Sequence, residues 1–186
     1  MVQDFDQALK KKFPEIEIKW FQSGSENVAA KVNSELLSGK TKADLLMTSD
    51  PFWYEDLRMK NVLLKYSSPS AEKSPLRAQD HSWAVSRMAF MVIAYHSDVY
   101  SGNDAPKSFA DLTLARFADK VAMGSPLESG TTFTTVAMLA RKLGWDYFAK
   151  LRINKALSAG GNSAVIARIE TKERPVGIVL LENALA

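Results

Sequence analysis

KVAMGSPLESGTTFTTVAMLARKLG, residues 120–144, is the stretch that decides the fold. Lys120–Gly124 is a short apolar run with the length of a buried strand. Phe133, Val136, Ala137, Ala140 and Leu143 recur at helical spacing, so a helix follows with one apolar face. Between the two, SPLESGTTFTT (125–135) crowds serine and threonine hydroxyls around Gly130. A strand passing through small polar residues into a helix is the repeating step of an α/β fold with a parallel sheet. Capping accounts for one or two of the hydroxyls, because a side-chain oxygen satisfies a first-turn N–H. The others are free to cradle oxygens of a ligand, since a helix start carries unpaired N–H groups and partial positive charge.

The same step recurs outward in both directions. Upstream, residues 2–13 place Phe5, Leu9 and Phe13 on one helical face, closed by Pro14. EIEIKWF (15–21) alternates as a strand with Ile16, Ile18 and Trp20 on one side. Ser23-Gly24-Ser25 then opens a helix to about Leu37, with Ser25 as N-cap. ADLLMTS (43–49) predicts a buried strand, and Asp50-Pro51 leads into another helix. Residues 64–82 are polar and proline-bearing, a surface connection with little regular structure. WAVSRMAFMVIAYHS (83–97) predicts one or two buried strands, and APKSFADL (105–112) a helix start with Ser108 and Asp111 as its capping pair. Downstream, WDYFAKL (145–151) is a short helix. Gly160-Gly161-Asn162-Ser163 opens another, and VGIVLL (176–181) is a strand ending at Glu182-Asn183.

Composition narrows the function. With 186 residues, 46% hydrophobic, the chain can bury a core, in one large domain or two lobes. A net charge of +3 with no basic cluster beyond Lys10–Lys12, itself beside Asp4 and Asp6, points to no nucleic-acid partner. The absence of cysteine excludes disulfides, thiolate metal sites and cysteine nucleophiles. His81 and His96 are the only histidines, so a histidine-rich metal site is excluded, and no metal or cofactor is expected. No G-x-S-x-G elbow is present, and SGTT lacks the lysine of a P-loop. No residue is assigned a catalytic role. The apolar run MAFMVIAY is far short of the ~20 residues of a membrane span, and no targeting segment is visible at the start.

Four loops therefore carry the functional reading: QSGSEN, TSDPF, SPLESGTT and AGGNSA. Each follows a predicted strand, and in open α/β sheets ligands gather at the strands' carboxyl ends. Capping is the ordinary use of any one such loop; four together favour binding. Glu182, just after a buried strand, is placed either to face a cleft or to be a solvated strand end.

In order and spacing, these segments resemble the bacterial extracellular solute-binding proteins of ABC importers, over nearly the whole chain. The similarity runs through FPEIEIKWFQSGSENVAAKVNSELLSGKTKADLLMTSDPFWYEDLRMKNVLLKY and FMVIAYHSDVYSGNDAPKSFADL. It continues through KVAMGSPLESGTTFTTVAMLARKLGWDYFAKL and GGNSAVIARIETKERPVGIVLLENAL. The branch it is most similar to contains ferric-iron, phosphonate and sugar-phosphate binders. The resemblance implies a type II periplasmic-binding-protein fold: two doubly wound α/β lobes around a cleft, the first lobe incomplete. Residues 1–84 would form the partial first lobe and connection, 85–180 the second lobe, and 181–186 the start of a return hinge. It implies a periplasmic or extracellular binding protein, not an enzyme, that delivers a small-molecule solute to a membrane ABC permease. Mapped residue by residue, the solute contacts would be Ser23, Gly24, Ser25, Ser49 and Asp50 from the first lobe. Ser129, Gly130, Thr131, Thr132, Gly161, Asn162, Ser163, Glu182 and Asn183 would come from the second.

Two departures shape the expectation. Ferric-iron members carry adjacent tyrosines where this chain has Glu182 and Asn183. Amides and hydroxyls suit an organic phosphate, phosphonate or carboxylate better, with Glu182 receiving an amine or hydroxyl. Relatives also begin with a strand before residues 2–13 and continue beyond VGIVLLENALA, so the chain is expected to be truncated at both ends. Another strand, such as one from a second copy in a homodimer, would then fill the gap by strand exchange. The rival readings are a ligand-sensing domain of a regulator with this fold, and an α/β transferase using Glu128 or Glu182 as base.

Overall fold

A computed structural model describes residues 2–74 and 76–185. Its sheet is formed by the second half of the chain: β1 (Met91–Tyr95), β2 (Val121–Met123), β3 (Leu157–Ser158) and β4 (Val176–Leu180), in the order β1-β4-β2-β3. β2 runs parallel to both β3 and β4, while β1 is antiparallel to β4 in the register Ile93↔Ile178. Three parallel strands with one antiparallel edge is a common mixed sheet.

Alternation along the strands divides the core between two faces. Val121, Met123, Val176 and Ile178, with Met91 and Ile93, face α4 (Gly130–Leu143) and α5 (Asp146–Ile153). Leu112, Phe117 and Tyr147 complete that side. Ala122, Val179, Val92 and Ala94 face α6 (Asn162–Glu170), through Val165 and Ile169. Gly177 sets how close α6 can come, because a β-carbon there would lie 2.6 Å from Val165 Cγ1 and 2.8 Å from Ile169 Cδ1. Helices on both faces of the parallel strands make a doubly wound arrangement.

The first half packs differently. α1 (Val2–Lys12), α2 (Ser25–Leu37) and α3 (Pro51–Met59) form as the periodicity predicts. Val32, Trp53 and Leu57 make a small core between α2 and α3. The strands predicted at 15–21 and 43–49 do not pair: neither segment joins a ladder among the described residues. The physical reason is nonlocal. A strand is held by a neighbour's backbone, and among the described residues neither segment has such a neighbour. The apolar residues of the alternation are consequently in solvent, Ile16 at 50% and Leu45 at 77%.

Smaller differences follow from local chemistry. The N-cap of α2 is Gly24 rather than Ser25, which is the first helical residue. Asp50 caps α3, its Oδ1 accepting from Phe52 N at 2.9 Å and Trp53 N at 3.2 Å. Ser108 and Asp111 do form a capping box, but the helix it opens is a 3-10 turn, Phe109–Thr113. Among the described residues of 64–82 the regular structure is a 3-10 turn at Ala71–Lys73, with one bridge joining Arg77 to Ala84. Leu181–Ala184 forms one helical turn, α7. Among the described residues no helix is long and apolar enough to cross a membrane.

Candidate functional site

Because β2, β3 and β4 are parallel, their carboxyl ends share one edge of the sheet, and the loops that leave them meet there. The β2 loop and the β3 loop are tied by Ser125 N–H donating to Gly160 O at 2.8 Å. At the end of β4, Leu180 N–H donates to Asn162 Oδ1 at 3.0 Å, and the same amide donates from Nδ2 to Thr131 Oγ1 at 3.1 Å. Asn162 thus fixes the first turn of α6 to the strand end and orients Thr131. Thr131 Oγ1 also lies 3.0 Å from Ser129 Oγ, the N-cap of α4. Three of the predicted hydroxyl and amide groups are therefore one linked cluster at the N-terminus of a 14-residue helix.

The first half brings its own loops onto that helix start. Ser25 Oγ lies 3.2 Å from Ser49 Oγ and accepts from Ser49 N–H at 3.3 Å. Thr134 Oγ1 on α4 donates to Ser49 O at 3.0 Å. Gly130, the first residue of α4, sits against this serine pair: a β-carbon on it would lie 2.5 Å from Ser25 Oγ and 3.0 Å from Ser49 Oγ. Gly24 is equally close-set, since its β-carbon would approach Glu128 O to 2.7 Å. Gly24, Ser25 and Ser49 are thereby placed against Glu128, Gly130 and Thr134, while Ser23 bonds Asn27 and Asp50 caps α3 within the first half.

Other predicted residues stand apart from this cluster. Thr132 is fully buried, its Oγ1 set beneath the β2 end where a β-carbon on Gly124 would reach it at 2.5 Å. Its position is that of a packing residue in the loop's foundation. Ser163 is exposed, Gly161 is the N-cap of α6, and Asn183 is half-buried in α7. Glu182 pairs with Arg87 at 2.9 Å, so its charge is already met by a cation on the segment entering β1.

Sequence reasoning missed three participants. Thr134 lies inside the opening hydroxyl run, but its contact spans 85 residues and no local pattern announces it. Tyr54 OH accepts from Thr48 N–H at 2.8 Å and holds the chain leading to Ser49. Glu26, in the first turn of α2, has its Oε1 buried without a partner among the described residues. Burial raises the Glu26 pKa, and the nearby Asp50 charge raises it further. A carboxylate directly after a helix-opening serine was the available signal. No three His, Asp or Glu side chains among the described residues are grouped to hold a metal ion.

A mixed, mostly parallel sheet wound on both faces, with serine- and threonine-rich helix starts converging from two parts of the chain, defines a periplasmic-binding-protein fold of type II. The chain belongs to the bacterial extracellular solute-binding proteins, whose family profile matches residues 40–180. No curated protein sequence matches it. Among solved structures, it is similar to iron-bound HitA from Pseudomonas aeruginosa, with 18% identity and a TM-score of 0.80 over 94% of this chain and 57% of that one. It is similar to AfuA from Actinobacillus pleuropneumoniae with exogenous fructose-6-phosphate bound, with 18% identity and a TM-score of 0.80 over 98% of this chain and 60% of that one. An ABC-transporter substrate-binding protein from Agrobacterium tumefaciens gives 16% identity and a TM-score of 0.82 over 98% and 57%. These likenesses establish the shared fold. The chain spans 57–60% of the length of the three proteins.

Proposed function

We propose that this protein binds a small anionic organic solute at the α4 helix start and works as the solute-binding component of an ABC importer. The observation that carries the reading is the meeting of Ser25 and Ser49 with Gly130, beside the Ser129–Thr131–Asn162 cluster. An oxygen-rich anion at this point is favoured by the positive end of α4, whose Thr132 N–H is capped by Ser129 Oγ. Hydroxyls and an amide add donors of matching size for a phosphate, phosphonate or carboxylate. Glu26 and Asp50 lie on the first-half side of the same place, so a solute that also carries an ammonium or hydroxyl group is the better match. Binding and release are the whole of the activity in this reading, without a chemical step.

The partners that follow are the solute and a membrane permease, with the protein working in the periplasm or at the extracellular face. A second copy is a further partner, adding a strand to the unpaired first half.

A thermal-shift panel of phosphonates, sugar phosphates, dicarboxylates, polyamines and Fe(III) tests the reading, because a ligand of the folded state raises the melting temperature by mass action. An upward shift with one of the organic anions is expected. Tight Fe(III) binding with a visible charge-transfer colour, and no response to organic anions, would overturn it.

A further inference from the structure

Asn162 joins three elements through one amide. Its Oδ1 accepts from Leu180 N–H at the end of β4, and its Nδ2 donates to Thr131 Oγ1 in the first turn of α4. A backbone N–H can only donate, so the amide oxygen must face Leu180 and the amide nitrogen must face Thr131. One of the two lone pairs on Thr131 Oγ1 is therefore taken by Asn162.

Ser129 settles the other. The two hydroxyl oxygens lie 3.0 Å apart, and distance alone does not say which one donates. Ser129 is buried, at 9% exposure, and its Oγ already accepts from Thr132 N–H at 3.4 Å. Among the described residues, Thr131 Oγ1 is the one acceptor within reach of its hydrogen. A buried donor left without an acceptor is expensive, so Ser129 donates to Thr131. Thr131 then accepts twice and has no lone pair left. Its own hydrogen finds no acceptor in the cluster, and Thr131 is only half-buried, so this is the hydrogen that the cluster turns outward.

A hydroxyl in water can give or take a hydrogen bond; this one can only give. We infer that Asn162 is a positioning residue that fixes Thr131 as a pure donor, so that the solute atom meeting Thr131 is an acceptor oxygen of the kind a carboxylate, sulfonate, phosphate or phosphonate carries. The inference rests on the reading that the solute binds at the α4 start, and it narrows that reading. A solute that also carries an ammonium group must turn its anionic end to Thr131 and its ammonium elsewhere.

Two monoanions of one shape test it by NMR titration. In mildly acidic buffer methylphosphonate carries one O–H donor and methanesulfonate carries none. The wild type is expected to bind both. Asn162→Asp keeps an acceptor for Leu180 N–H but lets Thr131 donate to the new carboxylate, which turns a Thr131 lone pair outward. The ratio of the methanesulfonate Kd to the methylphosphonate Kd should then rise about tenfold, the worth of one hydrogen bond. Altered packing or the added charge would weaken both anions alike and leave the ratio unmoved. Thr131→Val should also weaken both alike, and adding it to Asn162→Asp should return the ratio to that of the wild type, because Asn162 acts through Thr131. Without any solute, the carboxyl introduced by Asn162→Asp accepts from two donors, so carbon-13 NMR should find it titrating below the usual aspartate range and rising again when Thr131→Val is added.

An unchanged ratio in folded Asn162→Asp, unaltered binding by Thr131→Val, or a carboxyl whose titration ignores Thr131→Val would each overturn the inference while leaving anion binding in place. Binding of neither anion by the wild type would overturn the binding reading, and this inference with it.

Discussion

Gly130 and Ser25, the first residues of α4 and α2, are packed against each other so closely that a β-carbon on Gly130 would lie 2.6 Å from Ser25 Cβ. The obstacle is not a free-swinging tip: Ser25 Cβ is attached to a helix backbone and cannot step aside. Gly130→Ala should therefore push the two helix starts apart. Overpacking of this kind costs about 1–3 kcal/mol, read as a lowered denaturation midpoint, and solute affinity should fall with it.

Gly177 makes the same demand on the other side of the sheet. Gly177→Ala sets a methyl against Val165 and Ile169 and should lift α6 from β4. A loss of about 1–3 kcal/mol in urea unfolding is expected. Because Gly177 sits mid-strand rather than at the strand ends, solute affinity measured well below the transition should change less than in Gly130→Ala.

Asn162 separates a structural role from a binding one. Asn162→Ala leaves Leu180 N–H without its acceptor, a cost of about 1–3 kcal/mol. Asn162→Asp keeps that acceptor but replaces the donor to Thr131 with an anion. The aspartate variant should retain more stability than alanine while binding an anionic solute worse, as measured by unfolding and by calorimetry on the same samples.

Glu35 supplies a pH dependence. The Lys31 ammonium at 2.6 Å, with support from Lys42 N–H and Thr41, lowers its carboxyl from an ordinary 4.5 to about 2. The folded state therefore holds the charged form more readily than the unfolded chain. Its contribution is fully present above about pH 4.5 and disappears as the pH falls through about 2. Glu35→Gln should lower the melting temperature at neutral pH and converge with the wild type near pH 2.

Glu26 has the opposite sign. Burial raises its pKa, so its charged form disfavours folding, and the relative stabilisation present below pH 4.5 is lost as the pH rises through the raised value. Glu26→Gln should raise the melting temperature at neutral pH in the absence of solute. Where the solute carries an ammonium group, the same substitution should weaken binding.

What the sequence made legible was the part of the fold held by local pattern. β2, β4, α4 and α6 follow directly from apolar runs and helical spacing, and the hydroxyl stretch at 125–135 does sit where a strand hands over to a helix. The strands expected at 15–21 from alternation and at 43–49 from an apolar run join no ladder among the described residues, because a strand requires a partner that a local pattern cannot supply. Ser25 and Gly24 exchanged roles because a one-residue difference in backbone angle decides which of two adjacent small residues caps. Thr132 looked equivalent to Thr131 until the helix turned it inward beneath Gly124. Glu182 read as an open carboxylate because Arg87 lies 95 positions earlier.

The central claim is that an organic anion binds where Ser25 and Ser49 meet α4. Titration calorimetry of the wild type and of Gly130→Val, with the organic anion that most raises the melting temperature, tests it most directly. Saturable binding by the wild type and none by the folded variant is the predicted result. Equal binding by both proteins would contradict it.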